Sequence, residues 1–364
     1  MKESLSKRIA DSILTDYILS GRLKPGESLP SIRELQAIYR VSIATIQNSL
    51  SRLQDQGMVI ARHGAGVYVT DSPAKQRPGK LIGHILLANA YKDELLNRAW
   101  HGVAKEAERH GYQVVLGDSE MSYARERELV RSLIDVGCEG LVINPSLRTR
   151  DELSNDYLAK EFRNFPIVLM DLAWPEQMRP RVEYDNYDAG YAMPRILIDE
   201  GHTHIILIDI DNADRTLMFR SMCDWRRGYF QAMKDADLDV RDEDIWVLPP
   251  DSTDSGRQIL TEKLEAWWHQ QDRSTACVAG GDGVAMTFFH VCRELGIPES
   301  EWMRVTGGDG IEATRSFYPQ FDTTAPDFMK GGEIAARLLF ELMDGSLKET
   351  VVYQLPVPIV GRKM

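Results

Sequence analysis

The sequence has few cysteines, and their placement indicates no shared task. Only four occur among the 364 residues. They are scattered along the chain, without a Cys-x-x-Cys pair or a histidine at metal-ligand spacing, at Cys138, Cys223, Cys277 and Cys292. This excludes a disulfide framework or a zinc site as the basis of the fold. A reducing compartment is the expected setting, and we predict a cytoplasmic protein.

Long hydrophobic runs are also absent. No stretch of about 18 consecutive apolar residues occurs, so the sequence predicts no transmembrane helix and no membrane partner. A secretion signal has an apolar segment ahead of a small-residue cleavage site. The N-terminal stretch MKESLSKRIADSIL has no such segment. We therefore expect a protein that is not exported, and this disfavours a transport binding protein.

Common catalytic and cofactor-binding motifs are missing as well. The chain has no Gly-x-x-x-x-Gly-Lys-Ser/Thr, Gly-x-Ser-x-Gly or His-Glu-x-x-His, and no Gly-x-Gly-x-x-Gly after a strand. Two groups of residues could be taken for metal ligands: the acidic residues Asp209, Asp211 and Asp214, and the pair His202 and His204. Both groups flank one apolar stretch, where turn and capping roles are commoner than metal binding. We expect no enzyme, no catalytic residue, no metal and no cofactor.

The charge is distributed unevenly between two parts of the chain. Residues 1–80 have twelve basic against seven acidic residues, a net charge of +5, and since the whole chain has −12, the remainder has −17. At this length two or three domains are expected. A small cationic module therefore precedes a large acidic one, which suggests that only the first part meets nucleic acid.

Three short helices and a hairpin are predicted at the start of the chain. Ser31 to Glu34 has the sequence of a capping box, and Ser42 is placed to cap a third helix. After Gly57, two β-rich segments flank a glycine-containing stretch, as in a hairpin. Apolar residues at helical spacing are expected to face inward, at Ile9, Ile13, Tyr17, Ile46, Leu50 and Leu53. This order predicts a winged helix-turn-helix over residues 1–71.

The segment 72–80, SPAKQRPGK, has the composition of a linker. Downstream, over residues 81–364, continuous apolar strands alternate with helices, as in a parallel sheet covered on both faces. The strands are expected at 81–88, 112–116, 140–144, 166–170, 204–208, 245–248, 275–279 and 303–307. This number of strands is more than one open sheet is expected to hold, so we predict an α/β domain with two Rossmann-like lobes. Its ligand site is expected at the carboxyl ends of the strands.

Residues 1–70 resemble the winged-helix domain of the GntR family. The resemblance rests on Leu23-Lys-Pro-Gly-Glu-Ser-Leu-Pro-Ser-Ile-Arg-Glu-Leu35, Tyr39-Arg-Val-Ser42, Leu53-Gln-Asp-Gln-Gly57 and Arg62-His-Gly-Ala-Gly-Val-Tyr-Val69. It implies a dimer on a palindromic operator, with Arg33 at the phosphates, the start of the third helix in the major groove and the wing tip at the minor groove. The chain departs from the family where Ile43 replaces a common arginine and Gln47 replaces a second one, so the operator sequence does not carry over.

The residues themselves support this assignment. With its apolar face inward, the third helix exposes amide side chains, which pair with adenine, and Arg33 and Arg52 suit phosphates. The alternative is a module that only dimerises or holds a protein partner, but the positive charge and the glycine wing tip favour DNA. The candidate DNA-binding residues are Ser31, Arg33, Ser42, Ala44, Thr45, Gln47, Asn48, Arg52, His63 and Gly64.

Residues 81–364 resemble the LacI/GalR effector domain, which is itself similar to periplasmic sugar-binding proteins. The stretches that carry the resemblance are Ile82-Gly-His-Ile-Leu-Leu, Gly137-Cys-Glu-Gly-Leu-Val-Ile, Pro166-Ile-Val-Leu-Met-Asp171, Asp185-Asn186, Ala189-Gly-Tyr, Glu200-Gly-His202, Ala279-Gly-Gly-Asp282 and Gly307-Gly-Asp-Gly310. It implies a periplasmic-binding-protein-like fold, a chain that crosses between the lobes three times, and a cleft that closes on a small polar ligand.

The resemblance places four candidate effector-binding residues in loops after strands, Asn89, Asp171, Asp282 and Asp309, with Asp309 as a carboxylate that accepts bonds from ligand hydroxyls. For Asp282 and Asp309 the alternative is turn and capping chemistry. Trp225 stands where the family has an arginine, and it suits either a sugar ring, with a nearby arginine supplying the guanidinium, or the core. The candidates are Asn89, Asp171, Trp174, Arg215, Arg220, Trp225, Arg226, Asp282 and Asp309.

Together these features predict a homodimeric transcription regulator, a repressor, whose binding to palindromic operator DNA is controlled by a small polar effector. A sugar or sugar derivative is the expected effector. The alternative is an enzyme-like or transport-like small-molecule-binding domain fused to a DNA-binding module. A strand-end lysine suited to a Schiff base, which an aminotransferase-like domain would need, is not evident.

Overall fold

The computed structural model describes residues 5–55, 57–62, 66–70, 80–88, 93–146, 156–171, 178–210, 220–249, 254–270, 274–318, 321–347 and 350–361. The chain divides into two compact units, Met1–Lys80 and Leu81–Met364. The predicted linker lies almost entirely outside the described residues, so its bounds remain a prediction.

The first unit is a winged helix-turn-helix, as predicted. Its helices are α1 (Leu5–Ile13), which continues as a wider π-helical segment over Leu14–Leu19, α2 (Ile32–Tyr39) and α3 (Ile43–Asp55). An antiparallel hairpin follows, with strands β1 (Val59–Arg62) and β2 (Gly66–Val69).

Local sequence signals set the ends of these helices. The Ser31 hydroxyl accepts a hydrogen bond from the Glu34 amide, and the Glu34 carboxylate accepts one from the Ser31 amide, completing the predicted capping box. The Ser42 hydroxyl accepts from the Thr45 amide at 3.2 Å and so caps α3. The six apolar residues predicted to face inward are all buried.

The second unit begins with a parallel βα lobe, the N-lobe. Its sheet has the strand order β13-β7-β6-β5-β3-β4, and every pair in it is parallel. The elements of its first segment are β3 (Leu81–Leu86), α4 (Glu94–Arg109), β4 (Gln113–Asp118), α5 (Tyr123–Val136), β5 (Cys138–Ile143), α6 (Tyr157–Lys160), β6 (Ile167–Met170) and β7 (Arg181–Tyr184).

A second lobe, the C-lobe, has the strand order β14-β12-β11-β10-β8-β9, parallel except for β14. Its elements are α7 (Asn186–Asp199), β8 (His204–Ile210), α8 (Arg220–Asp235), β9 (Ile245–Leu248), α9 (Asp254–Gln270), β10 (Thr275–Ala279), α10 (Asp282–Glu294), β11 (Arg304–Gly308), α11 (Glu312–Phe317) and β12 (Asp322–Thr324). The chain ends with α12 (Phe328–Met343), β13 (Val352–Leu355) and β14 (Ile359–Val360).

The chain crosses between the lobes three times, as the resemblance implied. It leaves the N-lobe after β7, returns before α12, which packs on the N-lobe core, and crosses back between β13 and β14. The crossing segments pair with one another, since the Asp185 amide donates to the Leu355 carbonyl and the Ala325 amide donates to the Pro358 carbonyl. The two lobes are thus joined by a narrow set of paired segments.

The eight predicted strands are all present, but four other strands were not predicted. Short strands such as β7, with the sequence RVEY, lack a continuous apolar run. Within α12, Gly331 and Gly332 weaken the helical signal, although they serve packing. A Cβ atom at Gly332 would lie 2.1 Å from the Ala99 carbonyl oxygen of α4, so the glycine permits close contact between the two helices.

Candidate functional site

The candidate DNA-binding surface is the solvent face of α3. Ile46, Leu50 and Leu53 are buried on the opposite face. The helix leaves exposed four predicted residues, Ala44, Gln47, Asn48 and Arg52. The amide side chains therefore project from a helix whose position is set by its apolar face.

Two predicted residues of this surface also serve the fold. The hydroxyls of Ser42 and Thr45 lie 2.8 Å apart, and Thr45 is half-buried. Exposed Ser31 and Arg33 lie at the start of α2. His63 and Gly64 lie outside the described residues, so the wing tip remains a prediction.

The candidate effector site is a cleft of about 220 Å³ in the second unit, at the carboxyl ends of strands from both lobes. Asp171 follows β6 of the N-lobe, whereas Asp309 follows β11 of the C-lobe. This is where the alternation of strands and helices places a ligand. The cleft is lined by Leu95, Asp171, Tyr184, Asn186, Ala189, Asp209, Ser221, Met222, Trp225, Arg226, Gly280, Gly308, Asp309, Thr324, Pro326, Phe328 and Val357.

Asp171 and Asp309 are two cleft residues with strained backbones and raised side-chain pKa values. Both have positive backbone φ angles, 68° and 109°, which non-glycine residues adopt at a cost. Burial raises the pKa of Asp171 to about 7, and the carboxylates of Asp93 and Glu183 add to the effect. Burial, and then the neighbouring Asp282, raise the pKa of Asp309 well above its usual range. Strained, poorly solvated carboxyls of this kind are typical of ligand sites.

Asp282 lies behind the cleft rather than in its lining. Its side chain is fully buried, and its carboxylate accepts hydrogen bonds from the Ile311 amide at 2.7 Å and from the Thr323 hydroxyl at 2.6 Å. Its own amide donates to the Asp309 carboxylate at 3.1 Å. Asp282 thus orders the loop that carries Asp309, which agrees with the alternative of turn and capping chemistry.

Trp225 lines the cleft and also packs against the C-lobe core, so its packing role is observed and its contact with a sugar ring stays a prediction. Its position depends on a close crossing of α7 and α8, because a Cβ atom at Gly190 would lie 1.9 Å from the Trp225 carbonyl oxygen. Next to it, the Arg226 guanidinium donates to the Asp209 carboxylate. Both members of this ion pair line the cleft.

Several cleft residues were not predicted from the sequence. Asp209 was assigned to a turn, whereas Tyr184 and Thr324 end the unpredicted strands β7 and β12. Their position at a strand end is the signal that could have identified them. Of the remaining predicted residues, Asn89, Trp174 and Arg215 lie outside the described residues, and Arg220 begins α8 with a side chain that is not described.

A buried polar group lies beneath Asp171. The ring of His84 is fully buried in β3, and its Nε2 lies 2.9 Å from the Asn144 side-chain oxygen. The Asn144 amide donates to the carbonyl of Met170, the residue before Asp171. Burial lowers the pKa of His84 to about 4, so the ring is neutral near pH 7 and donates from Nε2.

Comparisons with known proteins agree with both parts of the chain. Residues 5–69 match the family model for bacterial regulatory proteins of the gntR family, and residues 195–363 match the model for a periplasmic binding protein-like domain. The arabinose metabolism transcriptional repressor of Geobacillus stearothermophilus is 22% identical over 345 residues, which cover 91% of this chain and 89% of that protein. The HTH-type transcriptional repressor PurR of Vibrio vulnificus is 25% identical over 262 residues, 72% of this chain and 74% of that protein.

A solved structure of the transcriptional regulator CelR with cellobiose shares the fold. Its TM-score is 0.65 at 20% identity, and the alignment covers 89% of this chain and 91% of that one. Within the described residues, no helix is long and apolar enough to cross a membrane, and no cluster of three or more histidine, cysteine or acidic residues is placed to hold a metal.

Fold and relatives agree on the class: the chain is similar along most of its length to transcriptional repressors, and its second unit has the two-lobed fold of the CelR structure. More particularly, it joins a GntR-family helix-turn-helix domain, residues 5–69, to a periplasmic-binding-protein-like domain that the family model matches over residues 195–363.

Proposed function

We propose that the protein is a homodimeric repressor that binds a palindromic operator through α3 and releases or retains it according to a sugar or sugar derivative in the cleft. A dimer with two-fold symmetry presents two copies of α3 to two half-sites. Because its partner is operator DNA, we place this activity in the cytoplasm.

The observation that carries the proposal is the composition of the cleft. Carboxylates from both lobes, Asp171 and Asp309, face the same space as the flat side chains of Trp225 and Tyr184. Carboxylates accept hydrogen bonds from hydroxyls, and an aromatic face packs on the apolar face of a sugar ring. The volume of about 220 Å³ suits a ligand the size of a sugar.

Control of the operator follows from the division of the cleft between two lobes. A ligand that contacts both Asp171 and Asp309 binds best when the lobes approach each other. Such a ligand changes operator affinity only because it favours one arrangement over the other. We expect a coupling of about 1–3 kcal/mol, transmitted through the segment 72–80.

The test of the cleft is calorimetry with a defined set of probes. L-arabinose, ribose and cellobiose present ring hydroxyls, whereas a purine base offers a flat ring with few hydroxyls for the carboxylates. For the probe that binds, Asp309→Asn should lower affinity roughly ten- to hundredfold, since an amide group in place of a carboxyl oxygen leaves a buried ligand hydroxyl without its acceptor, at a cost of about 1–3 kcal/mol. Asp135→Asn, which changes an exposed carboxylate on α5, is the matched control and should bind normally.

Unchanged affinity in a stably folded Asp309→Asn variant would remove this residue from the site. Binding of the purine base with no sugar bound would overturn the assignment of the effector class. Operator binding is tested separately, by selecting from random DNA with the full-length protein. The proposed DNA interaction fails if no palindrome is enriched.

A further inference from the structure

Ile43, the first residue of α3, is an apolar side chain in an exposed position. It is 45% exposed, although its helix belongs to the candidate DNA-binding surface. It stands where the resembling family commonly has an arginine.

Within the described residues, Ile43 is not part of the hydrophobic core of the first unit. The core contacts of α3 come from Ile46, Leu50 and Leu53, all of which are buried. The helix start is stabilised by Ser42, whose hydroxyl accepts from the Thr45 amide. A β-branched residue has only moderate helix propensity, and an exposed one gains little from burial. Core packing therefore does not account for Ile43.

The neighbours of Ile43 on the helix indicate what it contacts. Residues four apart lie side by side on a helix, so Ile43 adjoins Gln47, and Ala44 adjoins Asn48. All four are exposed. This face therefore combines two apolar side chains with two amides.

That combination matches an A·T base pair in the major groove. Glutamine and asparagine pair with the N6 and N7 atoms of adenine, and apolar side chains contact the 5-methyl group of thymine. An arginine at this position would instead favour guanine. The net charge of +5 over residues 1–80 favours DNA over an apolar protein surface as the partner.

We propose that Ile43 packs against the 5-methyl group of a thymine in each half-site and so makes α3 selective for A·T pairs. This inference rests on the proposed binding of DNA by α3. Ile43 would then contribute to the choice of base. It would not contribute to the electrostatic attraction between the protein and the DNA phosphates.

Replacing thymine by uracil tests this directly, because the substitution removes only the methyl group. The operator is first obtained by selection from random DNA with the full-length protein, and each thymine is then replaced by uracil in both half-sites together. Burial of one methyl group corresponds to about a fourfold change in affinity, so we expect about a fifteenfold loss at one symmetric pair of positions. The dependence on salt should not change.

Three variants separate Ile43 from its surroundings. In Ile43→Ala, the penalty for uracil at that position should fall to about onefold. Ile38→Ala is the matched control, because Ile38 is 53% exposed but lies on α2, and it should retain the full penalty. Selection with Ile43→Arg should return guanine in place of the thymine.

Different results would overturn the role of Ile43 and the binding of DNA by α3. An enriched palindrome with no uracil penalty at any position, or a penalty that persists in Ile43→Ala, would overturn the role of Ile43 while leaving DNA binding intact. If selection enriches no palindrome, the proposed function fails and the role of Ile43 fails with it.

Discussion

The candidate DNA-binding face of α3 and the cleft of the second unit hold their polar groups in opposite ways. Gln47 and Asn48 are exposed, on a helix anchored by its other face. Asp309, in contrast, accepts a hydrogen bond from the Asp282 amide and has a strained backbone. The side chains on α3 are exposed singly, whereas the Asp309 carboxyl is held in place by a hydrogen bond within the protein. Mutations should therefore have independent effects on α3 and coupled effects in the cleft.

The largest effect should come from the helix crossing that supports the cleft. In Gly190→Ala, the new methyl group would meet the Trp225 carbonyl at 1.9 Å, and backbone cannot give way as a side chain can. We expect a loss of about 3 kcal/mol in the free energy of unfolding, measured with urea. Gly283→Ala in α10 is the control, since no atom lies within 4 Å of its added methyl group. It should be neutral or stabilising by up to about 1 kcal/mol. Equal effects of the two variants would contradict the argument.

A smaller effect, of the order of 2 kcal/mol, should follow from replacing the titrating carboxyl of Asp171. Its pKa is about 7 in the folded state against an ordinary value of 3.8, so the folded protein keeps a proton that the unfolded chain releases. Stability therefore decreases as the pH rises from about 4 to about 7, and the variant Asp171→Asn should show a shallower decrease.

Urea unfolding of both proteins at pH 5 and pH 8, without ligand, measures this difference. Asp282, whose pKa burial also raises to about 7, contributes to the remaining decrease, whereas His84 acts in the opposite direction, because its pKa is lowered. Parallel pH profiles for the wild type and Asp171→Asn would show that Asp171 is not the group responsible.

The smallest effect on stability is expected on the DNA-binding side. Arg33→Ala, on an exposed side chain, should change the free energy of unfolding by less than about 0.5 kcal/mol. It should weaken binding across DNA sequences and lower the slope of log affinity against log salt by about one, whereas Gln47→Ala should relax one base preference. Their effects on operator affinity should add. If the double variant departs strongly from the sum of the two single effects, the two residues do not act independently, and the proposed difference from the cleft is wrong.

Much of the fold was predictable because its signals are local. The capping box at Ser31, the cap at Ser42 and the apolar strands of both lobes depend on neighbouring residues. The unpredicted strand β7 shows the limit of such signals. Its sequence RVEY has no continuous apolar run, and the strand is recognised only by its pairing with β6 and β13.

The candidate site was predictable to a lesser degree. Resemblance and strand ends indicated Asp171, Asp309, Trp225 and Arg226, which the structure brings to one cleft. The same reasoning could not separate Asp282 from Asp309, since both follow a Gly-Gly pair. The difference between them is that Asp282 is enclosed by Ile311 and Thr323.

The sequence by itself determined the winged helix-turn-helix of the first unit and eight strands of the second. It also determined the cationic character of the first unit and the exposed composition of α3, because each of these depends on residue type and spacing. Only the tertiary structure decided which carboxyls meet across the two lobes and which are buried behind them. Residues such as Asp171 and Thr324 are distant along the chain, and the crossings between the sheets bring them together. Desolvation, which raises the pKa of Asp171, likewise arises only when the lobes pack around it.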